Sequence, residues 1–156
     1  MNAPPEYYLT DEAETTSLGA KIAKHLNSGM TIFLSGQLGA GKTCLTRGIL
    51  RELGYSGSVK SPTYSLVETY TINNKKISHF DFYRVTAAEE LFEAGFEEHF
   101  SEENICIVEW PEKIAAVMDT ADVLIRFEIA GTSRKVTLES ETLKGKKMIE
   151  GVSHEI

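Results

Sequence analysis

Apolar positions in the first third of the chain follow a helical spacing, then a strand spacing, then a helical spacing again. They recur every fourth residue across residues 11–26, which predicts an amphipathic helix capped by Asp11. Residues 30–34, MTIFL, form a short apolar run bounded by glycine, as expected for a buried strand. Residues 42–53 resume the helical spacing and end at Gly54. The pattern therefore predicts helix, buried strand and helix in succession.

The middle and last thirds of the chain predict mainly strands. Residues 64–72 and 76–82 alternate around an Asn-Asn-Lys turn, which is typical of a β-hairpin. Residues 104–110, NICIVEW, indicate a second buried strand. Residues 123–129 alternate, turn at Gly-Thr-Ser, and continue into a partner strand at residues 136–138. These segments predict two hairpins and one further central strand.

The remaining segments are shorter. Thr86 and Glu89 form a predicted capping box ahead of a third helix. The charged residues 141–156 predict a short helix or a frayed tail, and residues 1–9 form a lead that contains proline. With no repeat and no linker, we expect one α/β domain over residues 1–156, with the lead and the tail as candidate flexible parts.

Composition and charge limit the classes of function. The 156 residues are 42% hydrophobic and 25% charged, which is ordinary for a globular domain and excludes a disordered or collagen-like chain. The formal net charge of -7 argues against a dedicated nucleic-acid binder, because such proteins usually present a basic face. Cys44 and Cys106 lie far apart, with no Cys-x-x-Cys, and indicate neither a disulfide framework nor a zinc site.

Targeting signals are not evident. The first residues lack the basic and apolar regions of a secretory signal. No apolar run approaches the roughly 20 residues that span a bilayer. We therefore expect a cytoplasmic protein that does not associate with membranes.

The strongest chemical motif lies between the first predicted strand and the second helix. Residues 36–43, GQLGAGKT, match the phosphate-loop pattern GxxxxGK[ST] in full. The glycines allow a tight turn that aims backbone N–H groups at phosphates, and the helix adds its positive dipole end. Lys42 is predicted to reach the β- and γ-phosphates, and the Thr43 hydroxyl to bind Mg²⁺.

A phosphate loop also requires an acidic residue near the metal, usually at the end of a neighbouring strand. Glu109 ends the apolar run ICIV and is our preferred metal ligand, on a strand expected to be central and parallel to the first. Asp81, in HFDFYR, is a candidate to face the metal or to position the attacking water. The alternative is that Asp81 pairs with Arg84 or His79.

Ser61-Pro62-Thr63 follows the loop helix at the distance where nucleotide-sensing segments often lie. Two interpretations stay open for it. In one, Thr63 contacts the γ-phosphate side or the metal. In the other, Pro62 only stiffens the entry to the next strand.

Taken together, several segments resemble one known family. The segments GQLGAGKT, VKSPTYSLVETY, HFDFYR, EELFEAGFEEHF and ICIVEWPEK occur in the order and spacing of the bacterial TsaE family, formerly called YjeE. The likeness runs over roughly residues 11–135. Many members have Asp where Gln37 stands and Thr where Cys44 stands. These departures leave the phosphate-cradling backbone unaffected.

The resemblance implies a single P-loop NTPase-like domain with a mixed, mainly parallel central sheet flanked by helices. It implies ATPase activity in making threonylcarbamoyladenosine in tRNA. It further implies Mg²⁺ on Thr43 and Glu109, catalytic roles for Asp81, Glu109 and Lys42, and Trp110 in hydrolysis or partner coupling, unless Trp110 only packs. The residues implied to bind ATP or ADP are Glu12, Gly39, Ala40, Gly41, Lys42, Thr43, Cys44 and Arg134. Without the resemblance, Arg134 is equally a solvated hairpin cation.

The resemblance also implies a partner, the TsaB–TsaD complex, which carries out transfer to tRNA and is reset by the ATPase. Contact with tRNA would then be indirect. Three hypotheses follow: a partner-activated, intrinsically weak ATPase; a nucleotide-dependent switch without significant hydrolysis; and a small-molecule kinase. The kinase is the least favoured, because none of the five arginines form the cluster that a phosphoryl-closing lid needs.

Overall fold

A central sheet of seven strands organises the computed structural model, which describes residues 3–154. The strands are β1 (Glu6–Leu9), β2 (Thr31–Ser35), β3 (Val67–Ile72), β4 (Lys75–Asp81), β5 (Asn104–Glu109), β6 (Val123–Ala130) and β7 (Ser133–Ser140). The helices are α1 (Glu12–Ala23), α2 (Lys42–Leu53), α3 (Ala88–Glu93) and α4 (Leu143–Ser153), with 3-10 turns at Phe96–His99 and Pro111–Ile114. None of the helices in this part of the chain has the length and apolar character that crossing a membrane requires.

The strand order is β1-β7-β6-β2-β5-β4-β3. The four inner strands β6, β2, β5 and β4 are mutually parallel, and β1 has the same direction because it pairs antiparallel with β7. Strands β7 and β3 are the two that point the other way. The predicted mixed, mainly parallel α/β sheet is confirmed, including β5 as the parallel neighbour of β2.

Both faces of the two central strands, β2 and β5, are covered, which explains why the residues between their ends are all apolar. One face packs under α1, α2 and α4 through residues such as Ile32 and Leu34 of β2. The other face, which includes Phe33 and Val108, packs under α3 and the two 3-10 turns. Successive side chains of a strand point to opposite faces, so alternate residues of β4 and β5 belong to different layers.

Helices α1 and α2 touch through glycines. A Cβ atom at Gly48 would lie 2.4 Å from the backbone oxygen of Thr16, and one at Gly19 would lie 2.5 Å from that of Leu45. No side chain fits at these distances, so the two helices approach closely because both positions lack one. This contact fixes α2, and therefore the loop that precedes it, against α1.

Three features differ from the sequence-based expectation or extend it. The lead contains strand β1, which the analysis of periodicity did not identify because only four residues take part. The capping box predicted at Thr86 is wrong: α3 begins after Ala87, with no side-chain cap. The predicted helix in the tail is α4, whose Met148 and Val152 are buried against the rest of the domain.

Candidate functional site

Three parallel strands end side by side at the proposed phosphate loop. In the sheet register Leu34 of β2 lies beside Glu109 of β5, and Glu109 lies beside Asp81 of β4. The loop of residues 36–41 leaves this same edge directly after β2. In parallel α/β sheets the carboxyl ends of the strands are where ligands bind. The fold thus brings the loop and both candidate acids to one place.

The loop has the backbone conformation that its glycines permit. Gly39 and Gly41 have φ values of 77° and 110°, in the left-handed region that side chains other than glycine rarely adopt. Gly41 is also the N-cap of α2 and has no side chain to bond the first N–H groups of the helix. These groups and the helix dipole therefore face the loop, which is the arrangement that favours a bound anion.

Lys42 is almost completely buried at the start of α2, with 4% of its surface exposed. Its Nζ donates to the backbone oxygen of Gly36 at 2.5 Å and lies 3.8 Å from the ring centroid of Trp110. Burial lowers the pKa of Lys42, while the charges of Glu109, Glu112 and Asp81 oppose this shift. The ammonium group is thus held inside the site among carboxylates and an aromatic face.

Thr43 and Glu109 are in direct contact. The Thr43 hydroxyl donates to Glu109 Oε2 at 3.0 Å, although the two residues are 66 positions apart in sequence. The same Oε2 lies 2.7 Å from His79 Nε2, in the interior beneath the sheet edge. The hydroxyl and carboxylate oxygens are hard ligands of the type that Mg²⁺ prefers. Within residues 3–154 no group of three or more His, Cys, Asp or Glu side chains could hold a metal ion.

Asp81 anchors the segment that precedes β3. Its Oδ2 accepts hydrogen bonds from the hydroxyls of Ser61 and Thr63, the latter at 2.9 Å, and its Oδ1 accepts from the N–H of Tyr83 at 3.0 Å. Asp81 is buried, with 3% of its surface exposed. The carboxylate therefore satisfies three donors and connects the Ser61–Thr63 segment to the strand end beside Glu109.

The alternative partners considered for Asp81 are occupied elsewhere. His79 bonds Glu109, as described above. Arg84 donates to the Tyr64 hydroxyl at 3.2 Å, and its guanidinium lies 4.6 Å from the centre of the Tyr64 ring. The interpretation that Asp81 pairs with Arg84 or His79 is therefore wrong. The contact of His79 with Glu109 was not predicted from the sequence, although the spacing of two between His79 and Asp81 places both on one face of β4.

A cavity of about 190 Å³ lies on the other side of the loop. Its lining includes Glu12, Gly39, Ala40, Gly41, Cys44 and Arg134. The register of β1 with β7, in which Leu9 lies beside Arg134, brings the start of α1 next to this arginine. Arg134 in turn donates to the backbone oxygen of Gly39 at 3.4 Å. Glu12 and Arg134, which the resemblance implied as nucleotide-binding residues, thus line one cavity beside the loop.

Trp110 lies at the turn that follows β5. It adopts a left-handed backbone with φ of 59°, which directs the chain away from the sheet into the turn at Pro111. Its half-buried ring packs 4.9 Å from the ring of Tyr83, centroid to centroid, and takes the Lys42 ammonium on its face. Trp110 therefore does more than fill space, because it contacts the lysine of the loop.

The two thiols should react very differently with iodoacetamide. Cys44 is half-buried, and its pKa is raised by burial and by the charge of Glu12. Burial raises the pKa of Cys106 to about 12. Since the thiolate is the nucleophile, we expect slow alkylation of Cys44 that accelerates as pH rises, and none of Cys106 until the protein unfolds. Glu12→Gln should speed Cys44 alkylation a few-fold by lowering its pKa, as measured by mass spectrometry. A slower rate in that variant would contradict the prediction.

Comparison with known proteins gives a consistent result. The family model described as "Threonylcarbamoyl adenosine biosynthesis protein TsaE" matches residues 9–137. The tRNA threonylcarbamoyladenosine biosynthesis protein TsaE of Haemophilus influenzae is 40% identical over 152 residues, which cover 94% of this chain and 96% of that protein. The protein of the same name from Rickettsia felis is 33% identical over 129 residues, covering 82% of this chain and 75% of the relative.

A solved structure shows the same fold. The crystal structure of Bacillus subtilis YdiB matches with a TM-score of 0.85 and covers 99% of this chain and 97% of that chain. The two sequences are 24% identical, so this likeness concerns the architecture. It agrees with the mixed, mainly parallel sheet and flanking helices described above.

Proposed function

The chain belongs to the TsaE family of threonylcarbamoyl adenosine biosynthesis proteins, and from this premise we propose that it binds Mg·ATP and is a weak ATPase that a TsaB–TsaD complex activates. The membership confirms the resemblance seen in the sequence, and with it a role in forming threonylcarbamoyladenosine in tRNA. The nucleotide, the metal, the hydrolysis and the partner complex are the parts that we propose.

One observation carries the proposal: the hydrogen bond between the Thr43 hydroxyl and the buried Glu109 carboxylate, directly beside the glycine loop. Phosphate-loop ATPases place a hydroxyl from the loop and an acid from a neighbouring strand on one Mg²⁺. Here the Thr43 hydroxyl and Glu109 Oε2 are 3.0 Å apart, so both groups are already oriented toward the space between the loop and the strand where a cation would bind. Thr43 and Glu109 would hold the Mg²⁺, whose positive charge would stabilise the negative charge that develops during phosphoryl transfer.

The surrounding residues have complementary roles. The N–H groups of Gly39, Ala40 and Gly41 and the start of α2 would cradle the phosphates, and Lys42 would move from the Gly36 oxygen to the β- and γ-phosphates. The cavity beside Glu12, Cys44 and Arg134 would hold the sugar or base of ATP or ADP. Asp81 would place Thr63 and the attacking water at the γ-phosphate side.

Weak activity in isolation follows from the charges at the site. The charges of Glu109, Glu112 and Asp81 all act on Lys42, and the arginine nearest to Asp81 in sequence, Arg84, is held by Tyr64. Phosphoryl transfer is slow when no arginine joins the lysine of the loop at the transferring group, and a partner often supplies that arginine. The net charge of -7 further supports a role beside a tRNA-modifying complex and only indirect contact with tRNA. The two free thiols suit a reducing cytoplasm, where we propose that the protein acts.

A nucleotide-dependent switch without significant hydrolysis is the second candidate. The hydroxyls of Ser61 and Thr63 both converge on Asp81, so one carboxylate holds the whole segment at the strand edge. A γ-phosphate that recruited Thr63 would reorganise this segment, in the manner of nucleotide switches. The partner could read that change even if ATP were never cleaved.

ATP hydrolysis by the full chain, alone and with a bacterial TsaB–TsaD complex, separates these functions. We expect little phosphate release alone, a clear rise with the complex, and loss of the rise in Glu109→Ala. Glu112→Ala is the matched control, because the charge of Glu112 also acts on Lys42 but its side chain is exposed. This variant should keep the rise. ATP binding without any rise would favour the switch, and rapid hydrolysis that ignores the complex would refute partner activation.

A further inference from the structure

We infer that His79 is a positioning residue that holds the Glu109 carboxylate in the orientation needed to meet Mg²⁺, an inference that rests on the proposed function. His79 is completely buried, with none of its surface exposed. Its Nε2 lies 2.7 Å from Glu109 Oε2, the same oxygen that accepts from Thr43. The carboxylate is thus held from two sides, by a loop hydroxyl and by a ring on the adjacent strand.

The sheet register explains how a residue on another strand reaches Glu109. His79 of β4 lies beside Ile107 of β5, and Asp81 lies beside Glu109. Because side chains two apart on a strand share a face, His79, Asp81 and Glu109 all project to the side of the sheet that α2 covers. The imidazole therefore lies diagonally behind the carboxylate, on the interior side, where it can orient Glu109 without occupying the space that faces the loop.

The chemistry of the contact defines the role of each atom. An ionised carboxylate has acceptors only, so Nε2 must carry the hydrogen and donate it. Nδ1 is buried and has no hydrogen-bond partner among residues 3–154. A hydrogen placed on Nδ1 in place of Nε2 would be unpaired there, so the hydrogen-bond geometry favours the tautomer with its hydrogen on Nε2. With Oε2 engaged by His79 and Thr43, Oε1 stays available to a ligand.

Outer hydrogen bonds of this kind orient metal ligands and are worth about 10–100-fold in metal affinity or activity. His79 supplies the only such contact to Glu109 from the interior that the described residues show, since Thr43 belongs to the loop. Loss of the Nε2–H donor should therefore let the carboxylate rotate and weaken the contribution of Mg²⁺ to nucleotide binding. The contribution of the loop N–H groups and of Lys42 should stay unchanged.

The test compares His79→Leu, which removes the donor, with His79→Gln, whose amide can place an N–H near the position of Nε2. Ser78→Ala is the matched control: Ser78 is the neighbouring buried residue, and its bond to His99 Nδ1 at 3.1 Å lies on the opposite face of β4. Calorimetry would measure the Kd for ADP with Mg²⁺ and with EDTA for each protein. Mg²⁺ should raise the affinity of the unmodified protein for ADP, and we expect His79→Leu to lose about 10-fold or more of this gain in affinity. The affinity of His79→Leu for ADP in EDTA should be unchanged.

His79→Gln should recover most of that gain, and Ser78→Ala should keep all of it. If His79→Leu kept the full gain, or lost affinity equally in EDTA, the positioning role would be overturned while the proposed function stood. If the unmodified protein showed no gain from Mg²⁺ at all, the proposed function would fail as well.

A second measurement needs neither bound nucleotide nor bound metal. A long-range ¹H–¹⁵N spectrum of the unmodified protein reports which imidazole nitrogen carries the hydrogen, and the signals absent from His79→Gln identify His79. We expect hydrogen on Nε2, the atom that faces Glu109. Hydrogen on Nδ1 alone would overturn the donor role of His79.

Discussion

Lys42→Met should lower ATP hydrolysis, measured with the TsaB–TsaD complex that we propose as the activator, by about 100- to 1,000-fold. This is the range for loss of one preorganised charged or hydrogen-bonding group at a transition state. Lys42 is the buried cation of the loop, and its Nζ already lies within the cluster of Glu109 and Asp81. Methionine keeps the apolar stem that Trp110 covers but removes the ammonium group. The charge that develops on the γ-phosphate would then lack its nearest positive partner.

Lys60→Met is the control for this prediction, because Lys60 is exposed and lies directly before Ser61. It should change the rate by less than about twofold, as expected for a surface charge. Circular dichroism and the unfolding midpoint check that Lys42→Met is folded, since the substitution leaves buried carboxylates without a nearby cation. Equal rates for the two folded variants would show that Lys42 does not face the phosphates.

Asp81→Asn should release the Ser61–Thr63 segment. The Asp81 carboxylate accepts from two hydroxyls and one backbone N–H, whereas an asparagine has one oxygen and turns an NH₂ group toward a donor. A buried mismatch of this kind costs about 1–3 kcal/mol. We expect faster hydrogen exchange in residues 61–66. We also expect a fall of about 10- to 100-fold in ATP hydrolysis with the TsaB–TsaD complex, because the released segment would no longer hold Thr63 and the attacking water in position. The Kd for ADP should change little.

Backbone hydrogen bonds also hold the Ser61–Thr63 segment in place. Leu66 adopts a left-handed φ of 71°, donates to the oxygen of Pro62 at 2.7 Å and accepts from the N–H of Asp81 at 3.1 Å. Ser61→Ala removes one of the three bonds to Asp81 and should give a smaller change in the same direction. If Asp81→Asn left hydrogen exchange in residues 61–66 as it is in the unmodified protein, the anchoring role would be refuted.

Local patterns predicted the parts of the site that are built from short segments. The loop motif, the apolar run before it and the helical spacing after it are all contained in residues 30–53, so neighbouring residues dictate their conformation. Glu109 and Asp81 were predictable as strand-end acids, because a hydrophobic run that stops at a carboxylate marks the edge of a sheet. The pattern could not distinguish their partners, and for Asp81 the alternative of Arg84 or His79 was wrong.

The amino-acid sequence by itself determined the elements, the phosphate loop and the two acids, because hydrophobic period, glycine placement and turn residues act over a few positions. The tertiary structure decided which side chains meet. The register between β1 and β7 brings Glu12 and Arg134 to one cavity. The register between β4 and β5 places His79 against Glu109, and Asp81 then accepts hydrogen bonds from Ser61 and Thr63. Strand order and register depend on how all the apolar faces are buried together, and no local window contains that information.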